Sequence, residues 1–214
     1  MMMEVYGYFR SSAAYRLRIA LNLKGLTGEQ HFIHLRRKEQ SSPGYLAVNP
    51  MGLVPALVED GRALTQSLAI IEYLDETHPA PPLLPGDPYG RAWVRSVALA
   101  VACDIHPVNN LRILNHLRDG LGQDEPARNA WYAHWVAEGF RGLEAMLEAS
   151  PRPGAFCFGD QPTLADICLV PQVFNAERMN CPLDAYPTIR RIVAAARALP
   201  AFQAAEPGRQ PDAD

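Results

Sequence analysis

The 214-residue chain predicts an α/β unit followed by an all-α helical bundle. Three observations carry that prediction. The first eighty residues alternate short strand-like runs with helical segments. A stiff stretch, Pro79-Ala-Pro-Pro-Leu-Leu-Pro-Gly-Asp-Pro88, then separates this unit from the rest of the chain. Beyond it apolar residues recur at helical spacing, with Gly and Pro at the breaks. The expected organisation is one domain over residues 1–80, a linker over 81–88 and a second domain over 89–214.

Element by element, Glu4 to Tyr8 reads as a strand. Ala13 to Lys24 comes next as a helix, with Leu17, Ala20 and Leu21 at helical spacing and Gly25 as its stop. Gln30 to His34 alternates like a second strand. Pro55 opens a third, Ala56 to Glu59, and Asp60-Gly61 is a hairpin turn into a fourth, Arg62 to Thr65. Ser67 is placed to cap a helix from Leu68 to Thr77, whose Leu68, Ile71 and Leu74 form one apolar stripe. In the second unit helices are expected at Tyr89 to Ile105, Pro107 to Arg118, Arg128 to Ala149, Thr163 to Glu177 and Pro187 to Leu199. Thr163-Leu-Ala-Asp166 resembles a capping box, which assigns Asp166 to folding rather than to catalysis. The tail Glu206 to Asp214 reads as an exposed extension.

Composition narrows the function classes. The residues are 48% apolar and the net charge is −3, which marks neither a disordered chain nor a general nucleic-acid binder. No run is long and apolar enough to span a bilayer, and the N-terminus carries no signal-peptide pattern, so a cytoplasmic protein is expected. Cys103, Cys157, Cys168 and Cys181 lie far apart and form no C-x-x-C pair. They read as reduced, packed thiols, which argues against a dithiol redox enzyme and against a Cys/His metal site.

Three short segments bear on chemistry. Phe9-Arg10-Ser11-Ser12-Ala13 falls where the first strand ends and the first helix begins, a place that suits an anion. The same serines also serve as ordinary helix caps. Val54-Pro55 puts a proline at the start of a strand, which invites a cis bond and would leave the Val54 backbone able to pair with an extended peptide. Gln66-Ser67 again places a hydroxyl at a helix start, after an amide able to hold a carboxylate. Each segment alone is also explained as plain architecture.

Together the three occur in the order at which a thioredoxin-like domain grips glutathione. The sequence resembles the zeta class of glutathione transferases, which includes maleylacetoacetate and maleylpyruvate isomerases. The resemblance rests on Arg10-Ser-Ser-Ala-Ala-Tyr-Arg-Leu-Arg-Ile-Ala-Leu21, Asn49-Pro50, Val54-Pro55 and Gln66-Ser-Leu-Ala-Ile-Ile-Glu-Tyr-Leu74. It continues through Gly159-Asp-Gln-Pro-Thr-Leu-Ala-Asp166 and Leu169-Val-Pro-Gln-Val173, nearly the whole chain. It implies the glutathione transferase fold, with a thioredoxin-like first domain and a helical substrate-binding second domain, and it implies a homodimer.

The resemblance also implies site residues. Glutathione contacts would fall at Ser11, Ser12, Gln40, the Val54 backbone, Gln66, Ser67, His106 and Asn110, with Ser11 nearest the sulfur. A free thiol is mostly protonated at neutral pH, and lowering its pKa by about two units takes about 2.7 kcal/mol, which a hydroxyl donor and a helix N-terminus can share. Arg10, Arg112 and Arg178 match arginines associated with the two carboxylates of a small dicarboxylic keto-acid substrate in the maleylpyruvate branch. A guanidinium suits that task because it is planar, bidentate and always charged. Arg16 either adds positive potential or is a solvated or structural charge. The chain departs from the zeta pattern at Ala13, where a cysteine is usual, at Tyr15, where tryptophan is usual, and at His106, where glutamine is common. The expected activity is glutathione-dependent cis–trans isomerisation of a maleyl keto acid in aromatic-compound or amino-acid catabolism. Two alternatives stay open: a general transferase acting on small α-halo acids, and a glutathione-binding protein without turnover.

Overall fold

The computed structural model describes residues 3–213. It divides into two compact units: one runs to Leu83 and takes in the chain again from Ala198, and the other is Leu84–Arg197.

The first unit is built on a four-stranded sheet. Strand β1 (Met3–Gly7) pairs parallel with β2 (Glu29–Phe32) and antiparallel with β3 (Ala56–Glu59), which pairs antiparallel with β4 (Arg62–Thr65), in the order β2-β1-β3-β4. The β3–β4 hairpin falls where the sequence predicts it. Asp60 and Gly61 both have positive φ, 49° and 75°, the mirror-image turn that matches strand twist. The parallel β1–β2 pair needs a crossover, and α1 (Ser12–Lys24) supplies it, ending at Gly25 with φ 64°. Helix α1 packs on the helix after the sheet, and Leu17, Ile19 and Ala20 of α1, Leu57 of β3 and Ile70, Ile71 and Leu74 of that later helix are all 0–1% exposed.

Two helices of this unit depart from expectation. The sequence reading has no helix between β2 and β3, yet α2 (Pro43–Val48) forms there, with Ser42 accepting from Tyr45 N and Pro43 at the first helical position. Helix α3 (Ser67–Thr77) begins one residue earlier than expected. Its cap position is Gln66 at φ 70°, so Ser67 is inside the first turn and does not cap it.

The proline-rich connector is tied down on its N-terminal side. Lys24 Nζ donates to Asp75 Oδ1 (2.8 Å) and to the carbonyls of His78 (2.6 Å) and Pro81 (2.9 Å), while Leu83 N donates to the same Asp75 oxygen at 2.8 Å. These bonds carry the first unit to Leu83, past the expected boundary at residue 80.

The second unit is helical, as expected. Helix α4 (Pro88–Leu99) is capped by Asp87 and runs on as a π-helical segment, Ala100–Ile105. The expected helix from Pro107 to Arg118 is broken into three pieces. A 3-10 turn (Pro107–Asn109) ends at Asn110, whose side chain accepts from Arg112 N and Ile113 N and so starts a new helix, α5 (Leu111–Asn115), succeeded by a π-helical segment, His116–Gly120. The long α6 (Glu125–Glu148) packs on the first π segment, and Gly139 permits the approach: a Cβ there would lie 2.2 Å from Ile105 Cγ1. Helices α7 (Leu164–Arg178) and α8 (Pro187–Arg197) complete the unit.

Asp166 behaves as its sequence context implies. It is fully buried, and its carboxylate accepts from Cys157 N (2.8 Å), Thr163 N (2.8 Å) and Thr163 Oγ1 (2.9 Å). Burial pushes its pKa up, against the pull of these bonds.

Two expectations need correction. The chain after Ala198 is neither part of the helical unit nor an exposed extension: α9 (Pro200–Ala205) packs on α1, a 3-10 turn (Pro207–Arg209) comes after it, and Asp212 Oδ2 accepts from Phe9 N. Phe202, Ala205 and Pro207 are buried, which gives the segment an apolar anchor. Of the four cysteines, all free, Cys103 is exposed; the other three are packed as expected.

Candidate active site

In the first unit the predicted residues sit on three adjoining loops. At the β1–α1 junction Ser11 is the cap of α1, accepting from Ala14 N through Oγ at 3.3 Å, and Ser11 N donates to Tyr8 O at 3.0 Å. Ser12 is the first helical residue and is buried. Arg10 lies over the Phe9 ring, 4.9 Å from guanidinium carbon to ring centroid. The Ser11 hydroxyl thus gives a lone pair to the helix and keeps its proton for an outside acceptor, at the positive end of a helix dipole.

The second loop precedes β3. Asn49, buried, donates through Nδ2 to Leu53 O (2.6 Å) and accepts from Met51 N through Oδ1 (3.0 Å); Tyr45 Oη donates to the same Leu53 carbonyl at 2.6 Å. Burial raises the Tyr45 pKa to about 12, so the phenol remains a donor. These bonds fix the turn that delivers Val54 and the cis Val54–Pro55 bond. Val54 packs with Tyr8, Phe9 and Tyr45, which brings it beside the β1–α1 junction. Gln40 adjoins this loop: a Cβ on Gly52 would lie 3.1 Å from the Gln40 carbonyl oxygen.

The third loop is the start of α3. Gln66 at φ 70° makes no side-chain cap, and Ser67 Oγ accepts from Arg16 Nη1 at 3.3 Å. Arg16 is 2% exposed, so it is not a solvated charge; its bond to Ser67 joins α1 to α3.

These residues fit glutathione. Gln40 Oε1 is buried and has no hydrogen-bond partner among the described residues, an orphan that a peptide donor would satisfy. The hydroxyl and amide groups at the starts of α1 and α3 supply donors for a thiolate and a carboxylate.

In the second unit the predicted residues fall into two groups. His106 comes directly after the π-helical segment, its N–H donating to Val101 O at 2.9 Å. Asn110 commits its side-chain oxygen to capping α5, which leaves its amide N–H groups to offer. Arg112 is on the first turn of α5, and Arg178 is on the last turn of α7; both are exposed. Among the described residues no ion pair engages Arg10, Arg112 or Arg178, whereas Arg118, Arg141, Arg190, Arg197 and Arg209 are each paired with a carboxylate.

Tyr132 of α6 lies outside the set of residues that the sequence singles out. Burial raises its phenol to about 12, and the nearby Arg178 charge opposes the rise. Nothing in its spacing distinguishes it from a core tyrosine.

A β1-α1-β2 crossover with an antiparallel β3–β4 hairpin, hydroxyls at two helix starts and a helical second unit define a glutathione transferase architecture. Family models for the glutathione S-transferase N-terminal and C-terminal domains match residues 10–77 and 129–204. The chain belongs to the glutathione S-transferase family, within its zeta-class branch of maleylacetoacetate and maleylpyruvate isomerases. It is 50% identical to a maleylpyruvate isomerase of Ralstonia sp., covering 98% of this chain and 99% of that one. A solved holo structure of a bacterial zeta-class maleylpyruvate isomerase superposes with a TM-score of 0.96 at 49% identity, covering 99% and 100% of the two chains. A maleylacetoacetate isomerase from Methylobacterium extorquens AM1, solved with bound malonate and glutathione, gives a TM-score of 0.95 at 42% identity over 99% of each chain.

Proposed function

We propose that this protein is a glutathione-dependent cis–trans isomerase that converts a maleyl keto acid, maleylpyruvate foremost, into its fumaryl isomer. The observation that carries the proposal is Ser11, which caps α1 through its oxygen and retains a proton to donate at the helix N-terminus. When bound, glutathione supplies a thiolate whose reversible addition to the conjugated double bond leaves a single bond free to rotate. The chain's own residues do the rest. Ser11 donates to the sulfur and favours its ionised form, with the α1 dipole acting in the same sense. Gln40, the Val54 backbone, Gln66 and Ser67 hold the peptide, and His106 and Asn110 add polar contacts. Arg10, Arg112 and Arg178 bind the two carboxylates and offset negative charge that develops along the keto acid. Ala13 stands where the family usually has a cysteine, so this turn offers no protein thiol as nucleophile.

The dicarboxylate is supported by three arginines without ion-pair partners among the described residues, and by malonate, itself a dicarboxylate, in the glutathione-bound relative. The reading also places the protein in the cytoplasm as a homodimer; no helix among the described residues is long and apolar enough to cross a membrane. Maleylpyruvate, maleylacetoacetate and chloroacetate, each assayed with and without glutathione, test the activity. Isomerisation of a maleyl acid only when glutathione is present is the expected result; dehalogenation alone would contradict it. Arg178→Met should raise KM for the dicarboxylate about 10- to 100-fold, the equivalent of about 1.5–3 kcal/mol of charge-assisted hydrogen bonding, while leaving glutathione affinity unchanged. Equal losses in both would make Arg178 structural.

A further inference from the structure

The segment after Ala198 returns to the junction that carries Arg10, Ser11 and Ser12. Phe9 N donates to Asp212 Oδ2 at 2.9 Å, across 203 residues of sequence. The opposite side of the same residue is held as well: Arg18 Nη2 donates to Phe9 O at 2.9 Å, Nη1 to Tyr8 O at 3.5 Å and Nε to Ala205 O at 3.0 Å. Burial draws the Arg18 guanidinium down to about 10, and the charge of Asp212 opposes that fall, so Arg18 stays charged at neutral pH.

The segment is folded on itself before it reaches Phe9. Gln210 Nε2 donates to the carbonyls of Ala204 (2.9 Å) and Glu206 (2.8 Å), and Ala213 N donates to Gln210 O at 3.0 Å. Ala213 then packs against the cluster of Tyr8, Phe9, Tyr45 and Val54. The segment is thus tied to the residue before Arg10 and packed against the cluster that contains the valine expected to pair with glutathione. A carboxylate on a backbone N–H is a charge-assisted bond, stronger than covering an apolar patch requires.

We propose that Asp212, together with Arg18, is a positioning residue for the glutathione-activating turn: Asp212 of the C-terminal segment and Arg18 of α1 hold Phe9 from its two sides and so set the place of the Ser11 hydroxyl. This rests on the isomerase reading above. Geometry of that kind matters, because a displacement of about 1 Å at a reacting centre costs about 100-fold in rate.

The test compares full-length Asp212→Ala and Asp212→Asn with the wild type by three measurements: deuterium uptake of the Phe9–Ser12 amides without glutathione, ultraviolet absorbance of the thiolate of bound glutathione, and kcat with KM. Asp212→Ala should speed exchange at Phe9 about tenfold. It should leave about threefold less thiolate at pH 7. It should also lower kcat about tenfold with KM for the keto acid little changed. Asp212→Asn keeps an acceptor oxygen and should recover most of the protection and of the thiolate. The proposal is overturned if Asp212→Ala matches the wild type in exchange and thiolate, if it lowers only the melting temperature, or if Asn is no better than Ala. A wild type inactive on both maleyl acids would sink the isomerase reading, whereas the exchange experiment, done without ligand, decides the clamp on its own.

Discussion

Ser11 carries two tasks on one hydroxyl, and they can be separated by substitution. Its oxygen accepts from Ala14 N at 3.3 Å, the bond that starts α1. Its proton remains to be donated. Glycine is nearly as good a helix cap as serine, costing a few tenths of a kcal/mol, but offers no donor. Ser11→Gly should therefore leave the melting curve almost unchanged and lower kcat/KM about 100-fold, the usual loss for one donor at a developing anion. A variant that loses stability and activity together would reduce Ser11 to a cap. The hydroxyls and amide of Ser11, Ser12, Gln66 and Ser67 are conspicuous at strand-to-helix breaks, but alone they read equally as caps, and their proposed role comes from the family resemblance. Arg16 is not: its position on α1 suits a solvated charge equally well, and only the packing of α1 on α3 shows it buried against Ser67. Asp212 has no signal at all, since its partner is a backbone N–H 203 residues away.

At the scale of elements, local chemistry decides what can be read. The β3–β4 hairpin is legible to the residue because Asp60-Gly61 has the positive φ values that its turn requires. Helix α2 is hidden although Ser42-Pro43 is a standard start, because its six residues are too few to show a helical period. The π-helical segment Ala100–Ile105 carries the apolar pattern of an ordinary helix, so the sequence shows one helix where two geometries meet. The start of α7 is the clearest device at this scale. Asp166 accepts hydrogen bonds from Thr163 N, Thr163 Oγ1 and Cys157 N, and it is wholly buried. Asp166→Ala leaves these donors without an acceptor in the interior and should cost about 3–5 kcal/mol, read as a shift in urea midpoint. Loss of turnover without loss of stability would instead put Asp166 in the chemistry.

Across the whole molecule, the order of an α/β unit and a helical unit comes from the alternation of strand and helix periods before Pro79 and the helical period after it. Pattern alone does not show the return of the chain from Ala198 to the first unit, because α9 is short and opens on a proline. The function of the whole chain turns on whether the thiol that isomerises the substrate is glutathione's, held and ionised by this protein. Turnover of maleylpyruvate with glutathione and with S-methylglutathione tests it most directly. Turnover is expected with glutathione alone, with S-methylglutathione binding in its place and inhibiting competitively. Turnover sustained by S-methylglutathione, or proceeding equally well without any glutathione, would contradict it.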